Sequence, residues 1–199
     1  MFYQPAKGHG LPHDPFKAIV SPRPIGWIGS RSGRGEDNLA PYSFFNAVSA
    51  APPVVMFSSD TVKDSVRNID ETGVFTVNLA SRDLAEQMNV TSAPLERGES
   101  EFAAAGLTPV TGRLVDAPCV GEAYAVLECR MTAIMAPPTL AGTVTQSRMV
   151  FGQVVAIHIK DEALTPEGRL DMAKVRPLAR LGYRDYCDGG DVFEMVRPR

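Results

Sequence analysis

Residues that usually carry catalysis or metal chemistry are sparse in this chain of 199 residues, which holds three cysteines, three histidines and one tryptophan. Cys119, Cys129 and Cys187 form no CxxC pair and are odd in number. That pattern argues against a disulfide framework and fits a reducing compartment. Asn89, in the run NVT, is then a chance match to a glycosylation acceptor. His9 and His13 are four apart, a spacing that would share a helix face, but Pro12 and the nearby glycines disfavour a helix, so no metal site is expected. His158 lies in the alternating run GQVVAIHIK, where a structural role is favoured over a catalytic one. There is no GxGxxG after a strand, no GxxxxGK[ST], no HExxH and no GxSxG, so dinucleotide-fold, P-loop, zincin and hydrolase readings lack their motifs.

Long apolar runs are missing as well. APPVVMF and CVGEAYAVLEC are far shorter than a membrane span, and MFYQPAKGHG has no apolar signal core. A formal charge of −3 leaves no basic excess with which to track a phosphate backbone. These absences point to a cytoplasmic protein with no membrane and no nucleic-acid partner, acting on small molecules. A hydrophobic content of 44% is ample for one sizeable core.

What is present reads as mainly β. Apolar, β-branched or aromatic stretches at 24–30, 53–59, 73–79, 123–136 and 147–160 outline a sheet or barrel. The Gly-rich RSGRGED predicts a hairpin turn and places NLAPYSFFN, residues 38–46, at the start of a strand. Charged, periodic segments at 62–71 and 82–90 predict short helices packed on the sheet. Residues 94–108 read as a loop with a helical turn, and the Arg-, Gly- and Tyr-rich tail after Thr165 reads as an extended arm.

Two stretches stand out as a candidate site. Ser58 and Ser59 close one strand, and Lys63 and Asp64 follow at a predicted helix start. Hydroxyls, free N–H groups of a helix first turn and a nearby lysine suit a phosphate. The competing reading is that Ser59 or Asp60 caps the helix while Lys63 stands in water. Upstream, NLAPYSFFN offers Pro41, Phe44 and Phe45 as apolar walls and Asn38, Ser43 and Asn46 as polar edge contacts. Phe44 and Phe45 point to opposite sides if the segment is extended, so only one of them can touch a ligand. Together the stretches describe a ligand with a flat heterocyclic body and an anionic tail.

PRPIGWIGSRSGRGEDNLAPYSFFNAVSAAPPVVMFSS, followed by KDSVRNI, FGQVVAIHIKDE and the late PLARLGYRDY, resembles the flavin reductase-like family of FMN-binding split-barrel proteins over about residues 13–185. The resemblance implies a split β-barrel of about six antiparallel strands, Greek-key in type, with accessory short helices. It implies one domain over 1–199, with an N-terminal segment 1–16 and a C-terminal arm of about 166–199. It also implies a homodimer with FMN near the interface. Carried over by position, the flavin ring lies against Arg23 and Pro24 and against Asn38, Leu39, Ala40, Pro41, Ser43, Phe45 and Asn46. The phosphate meets Ser58, Ser59, Lys63 and Ser65, and Asp64 is counted with the cofactor-binding residues. Threonine is common in the family where this chain has Ser65, and glycine where it has Tyr183. Arg23 is expected to place a cation near the flavin and stabilise its reduced form.

The implied activity is that of an NAD(P)H-dependent flavin reductase, with nicotinamide as electron donor and a monooxygenase as a candidate partner. The alternative is a flavin-carrying electron-transfer protein of the flavoredoxin kind, with a protein redox partner and little nicotinamide activity. A third reading is a pyridoxamine-phosphate-oxidase-like enzyme on a related barrel. In each, the cofactor carries the chemistry and no side chain need be strictly catalytic.

Overall fold

The structure, a computed structural model, describes residues 1–95 and 99–198. Its strands are β1 (Arg23–Pro24), β2 (Gly26–Arg31), β3 (Asp37–Tyr42), β4 (Phe45–Ala50), β5 (Pro53–Ser59), β6 (Val74–Leu79), β7 (Pro109–Thr111), β8 (Pro118–Val120), β9 (Ala125–Met135), β10 (Arg148–Ile159), β11 (Leu178–Arg180) and β12 (Tyr186–Asp188). Seven of them form one antiparallel sheet in the order β3-β2-β6-β9-β10-β5-β4. This sheet curls into the half-barrel of a split-barrel protein. Among the described residues five α-helices accompany it: α1 (Phe16–Ile19), α2 (Asp64–Thr72), α3 (Ala85–Val90), α4 (Glu101–Ala105) and α5 (Met172–Val175).

Adjacent residues of β2 fall on opposite faces, and both faces are covered. Trp27 joins a cluster with Leu39, Met88 of α3 and Phe102 of α4, whereas Ile28 joins one with Phe57, Phe75 and Val66 and Ile69 of α2. That is why β2 reads as a continuous apolar run rather than an alternation. Gly29 and Gly152 are dictated by crowding. A Cβ on the first would collide with the Pro118 carbonyl of β8, and one on the second with the Phe75 ring.

The apolar stretches expected to be strands all are, and the 62–71 and 82–90 segments are helical, the latter opening with a 3-10 turn over Arg82–Leu84. The turn at RSGRGED also forms, with Gly35 at φ 87° and Ser32 N donating to Glu36 O at 2.9 Å.

Two expectations need correction. NLAPYSFFN lies at the start of a strand but does not run on as one, because Asn38 to Tyr42 fill β3, the chain bends at Ser43 and Phe44, and Phe45 begins β4. The tail is not an extended arm throughout, since β11 pairs with β1 and β12 in a second sheet and so returns the chain to its own N-terminal strand. The loop with a helical turn expected over 94–108 is found in its described part, where α4 is capped by Ser100, while residues 96–98 lie outside the described residues.

Candidate functional site

A cleft of about 460 Å³ opens where the end of β3, the end of β5, the start of α2 and residues 91–95 converge. Its size is that of a small-molecule site.

One wall comes from Ala40, Pro41, Tyr42, Ser43 and Phe44, with Lys17 beside them. Lys17 Nζ stands 5.6 Å and the Arg23 guanidinium 5.8 Å from the Phe44 ring centroid, so two cations lean on that ring. Arg23 is buried and donates to the carbonyls of Lys17 and Val20 and, at 2.9 Å, to that of Leu181. The guanidinium therefore pins α1 and the 181 segment behind Phe44. Its Nε has no partner.

The opposite wall, Thr91 to Leu95, is held from the core, because Trp27 Nε1 donates to Thr91 Oγ1 at 2.9 Å and Thr91 Oγ1 donates to Met88 O at 2.8 Å. Glu101 closes that side and accepts from Leu39 N at 3.2 Å. Burial, reinforced by Asp64, pushes its carboxyl pKa up.

The polar end is built around α2. Its N-cap residue is Lys63, and no side chain caps the helix. Neither Ser59 nor Asp60 does so, which removes the capping alternative. Gly73 ends the helix at φ 73° in the left-handed conformation that favours glycine. Lys63 is exposed and lines the cleft with Ser58, Asp60, Asp64, Ser65 and Arg67, and Arg67 pairs with Asp64 at 2.9 Å.

Beneath lies a buried polar layer. Asn38 Nδ2 donates to Ser65 Oγ at 2.9 Å and to Ser30 Oγ at 3.3 Å, and Asn68 Nδ2 donates to Ser30 Oγ at 3.3 Å. Ser59, 1% exposed, and Tyr42, 8% exposed, belong to the same layer, yet Ser59 Oγ and Tyr42 Oη have no hydrogen-bond partner. Buried hydroxyls are ordinarily paired, so these two leave donor capacity unused beneath the cleft.

Of the residues expected at a flavin site, Asn38, Ala40, Pro41, Ser43, Ser58, Lys63, Asp64 and Ser65 are brought together as cleft lining. The others stand elsewhere. Leu39 is buried in the core, and Phe45 packs on the other core cluster above Gly26, leaving Phe44 as the ring in the cleft. Asn46 is exposed on β4 and accepts from Ala47 N, and Pro24 is exposed on β1. Ser59 lies under the floor. Tyr42, Lys17, Arg67, the 91–95 wall and Glu101 were not anticipated. Only Arg67 carried a readable signal, being one helical turn from Lys63. Tyr183 adopts φ 57°, a conformation natural to glycine, and stacks edge-on against His13 at 5.7 Å.

Among the described residues, no group of three or more His, Cys, Asp or Glu could hold a metal ion, and no helix is long and apolar enough to cross a membrane.

The family model described as "Flavin reductase like domain" matches residues 20–185. The fold superposes on nitrilotriacetate monooxygenase component B from Bacillus cereus with a TM-score of 0.88 and 29% identity, covering 98% of both chains. It superposes on the 2-nitrobenzoate 2-nitroreductase of Pseudomonas fluorescens with a TM-score of 0.81 and 30% identity, over 92% of this chain and 88% of that one. An uncharacterized protein of Aquifex aeolicus is 36% identical over 173 residues, 84% of this chain and 85% of its own. With its fold, its cleft and a family match running through nearly all of the sheet, the chain belongs to the flavin reductase-like family and is a flavin-related oxidoreductase.

Proposed function

We propose that the cleft binds FMN and that the protein is an NAD(P)H-dependent flavin oxidoreductase. The observation that carries this reading is the pairing, in one cleft, of an uncapped α2 N-terminus and spare buried hydroxyls with a wall made of Pro41 and the Phe44 ring.

The residues fit the group. Free N–H groups at the start of α2, with the hydroxyls of Ser58 and Ser65 in the lining and that of Ser59 beneath it, would supply donors for a phosphate, and the Lys63 ammonium the counter-charge. The Asn38 amide, already fixed on Ser65 and Ser30, keeps the floor rigid beneath them. Along the other half of the cleft, Ala40 to Phe44 present backbone and ring to a flat heterocycle, while Thr91 to Leu95 shield it from water. FMN bound there would supply hydride acceptance at its N5 and onward electron transfer. Arg23 acts from behind, since its bonds to three carbonyls hold Phe44 and α1 in place and leave its charge against the ring. Among the described residues of the cleft, no side chains have the geometry of a nucleophile and base pair.

We propose a homodimer as well. Phe16, Ile19 and Val20 beside the cleft, and Val48 on the edge strand β4, leave apolar surface exposed that a second copy would cover.

Steady-state oxidation of NADH and NADPH with free FMN tests the reaction. The reading expects oxidation well above the protein-free rate with at least one nicotinamide. Protein that holds FMN but oxidises neither would leave an electron-transfer role in its place.

A further inference from the structure

Tyr42, the last residue of β3, carries a group that the flavin site as described does not use. Its phenol Oη is buried and without a partner. The hydroxyls of Ser65 and Ser59 face the phenol without completing a hydrogen bond to it, and the carboxylates of Asp64 and Glu101 act on it as well. Ser65, Asp64 and Glu101 all line the cleft. Tyr42 lines the cleft too, and its buried oxygen lies in the floor at the end where α2 begins. Its ring cannot swing away, because it packs on Phe57 at 4.7 Å and Phe57 in turn meets Phe75 edge-on at 5.9 Å. Ser59 Oγ is a second unpartnered hydroxyl beside it. A folded protein keeps two such groups buried only at a cost in stability. An anionic oxygen entering the cleft would give both of them an acceptor.

We propose that Tyr42 is a specificity-determining residue of this site, its Oη donating to the phosphate of the bound cofactor so that the protein selects FMN over riboflavin. The inference rests on the reading of the cleft as a flavin site and adds to it the group that senses the anion. The phenol is suited to the task. Burial raises its pKa, and the neighbouring Asp64 and Glu101 act in the same direction, so it remains a donor and does not become a competing anion. Lys63 attracts the phosphate from the rim as a mobile charge, whereas Tyr42 and Ser59 meet it as fixed dipoles from below.

The test is Tyr42→Phe, which deletes one oxygen and keeps the ring packing. Wild type and variant are titrated with FMN and with riboflavin, with inorganic phosphate as competitor, and the melting temperature of each flavin-free protein is recorded. Loss of a hydrogen bond to a charged group should weaken FMN by roughly 10- to 150-fold. Riboflavin binding should change less than about twofold, and phosphate should compete less well in the variant. Melting of the flavin-free variant should rise, because an unpaired buried hydroxyl has gone. Equal FMN affinity, equal loss for both flavins, or a lower melting temperature would each overturn the proposal, the last because it would mean the hydroxyl holds the fold. Wild type that binds neither flavin would remove the flavin site itself. Wild type and variant that both prefer FMN equally would remove only the role of Tyr42.

Discussion

Two buried polar clusters lie against the sheet, and they differ in how fully their hydrogen-bonding capacity is used. Glu128 of β9 is 0% exposed, and its carboxylate accepts from the backbone N–H groups of Arg113 at 2.9 Å, Leu114 at 2.6 Å and Val115 at 2.9 Å, and from His158 Nε2. Every acceptor position is taken, and the turn after β7 is wrapped around the charge. Under the cleft, Asn38, Ser30, Ser65 and Asn68 are linked to one another, but Ser59 and Tyr42 are left over. The complete cluster stabilises the fold. The incomplete one forgoes some of that stability, the division expected between a structural cluster and the proposed binding site.

The comparison breaks most easily at Glu128. Replacing it with Ala strips three backbone donors of their acceptor and should cost about 3–5 kcal/mol of stability, as for other broken buried charge networks. Urea unfolding measures this, and a loss below about 1 kcal/mol would show the cluster to be ornamental. Acid should produce a smaller loss through the same group. Burial opposes ionisation of Glu128, but the hydrogen bonds from His158 and the three N–H groups outweigh it and hold its pKa below the usual carboxylate range. A group depressed in the folded state contributes stability above its unfolded pKa and loses it as pH falls through the folded value. Unfolding free energy should therefore decline from the ordinary glutamate pKa downward, and Glu128→Gln should flatten that part of the profile. An unchanged slope in the Gln variant would assign the acid sensitivity elsewhere.

Lys63→Ala sharpens the other side of the comparison with a still smaller effect. The ammonium is exposed, so its contact with a phosphate is partly screened. FMN affinity should fall about tenfold, ~1.4 kcal/mol, while riboflavin affinity stays level. Melting of the flavin-free protein should hold or rise slightly, since a cation at the N-cap opposes the helix dipole. Equal losses for the two flavins would move the phosphate away from α2.

How much of this was legible in the sequence follows from where each signal is stored. β5, β6, β9 and β10 are apolar and β-branched along their length, and their pattern declares them. β4 does not declare itself. Residues 46–50 are exposed, so no alternation marks a strand that exists only by pairing with β5. The site divides in the same way. Residues 38–43 and 58–65 are two short runs whose composition already speaks of a wall and an anion, and the sheet brings them to one cleft. Lys17, Thr91 and Glu101 reach that cleft through tertiary links, Arg23 to Lys17 O, Trp27 to Thr91 and Leu39 N to Glu101, none of which has a local pattern. The choice between Phe44 and Phe45 was likewise undecidable from alternation alone, because the bend at Ser43 and Phe44 breaks the strand and turns Phe45 onto Gly26.

In the proposed function the incomplete cluster under the cleft is a phosphate site. Calorimetric titration of the flavin-free wild-type protein with FMN and, separately, with riboflavin tests it directly. The prediction is one FMN per chain, bound at least about tenfold more tightly than riboflavin. Equal affinities for the two flavins, or no heat with FMN at micromolar protein, would contradict it.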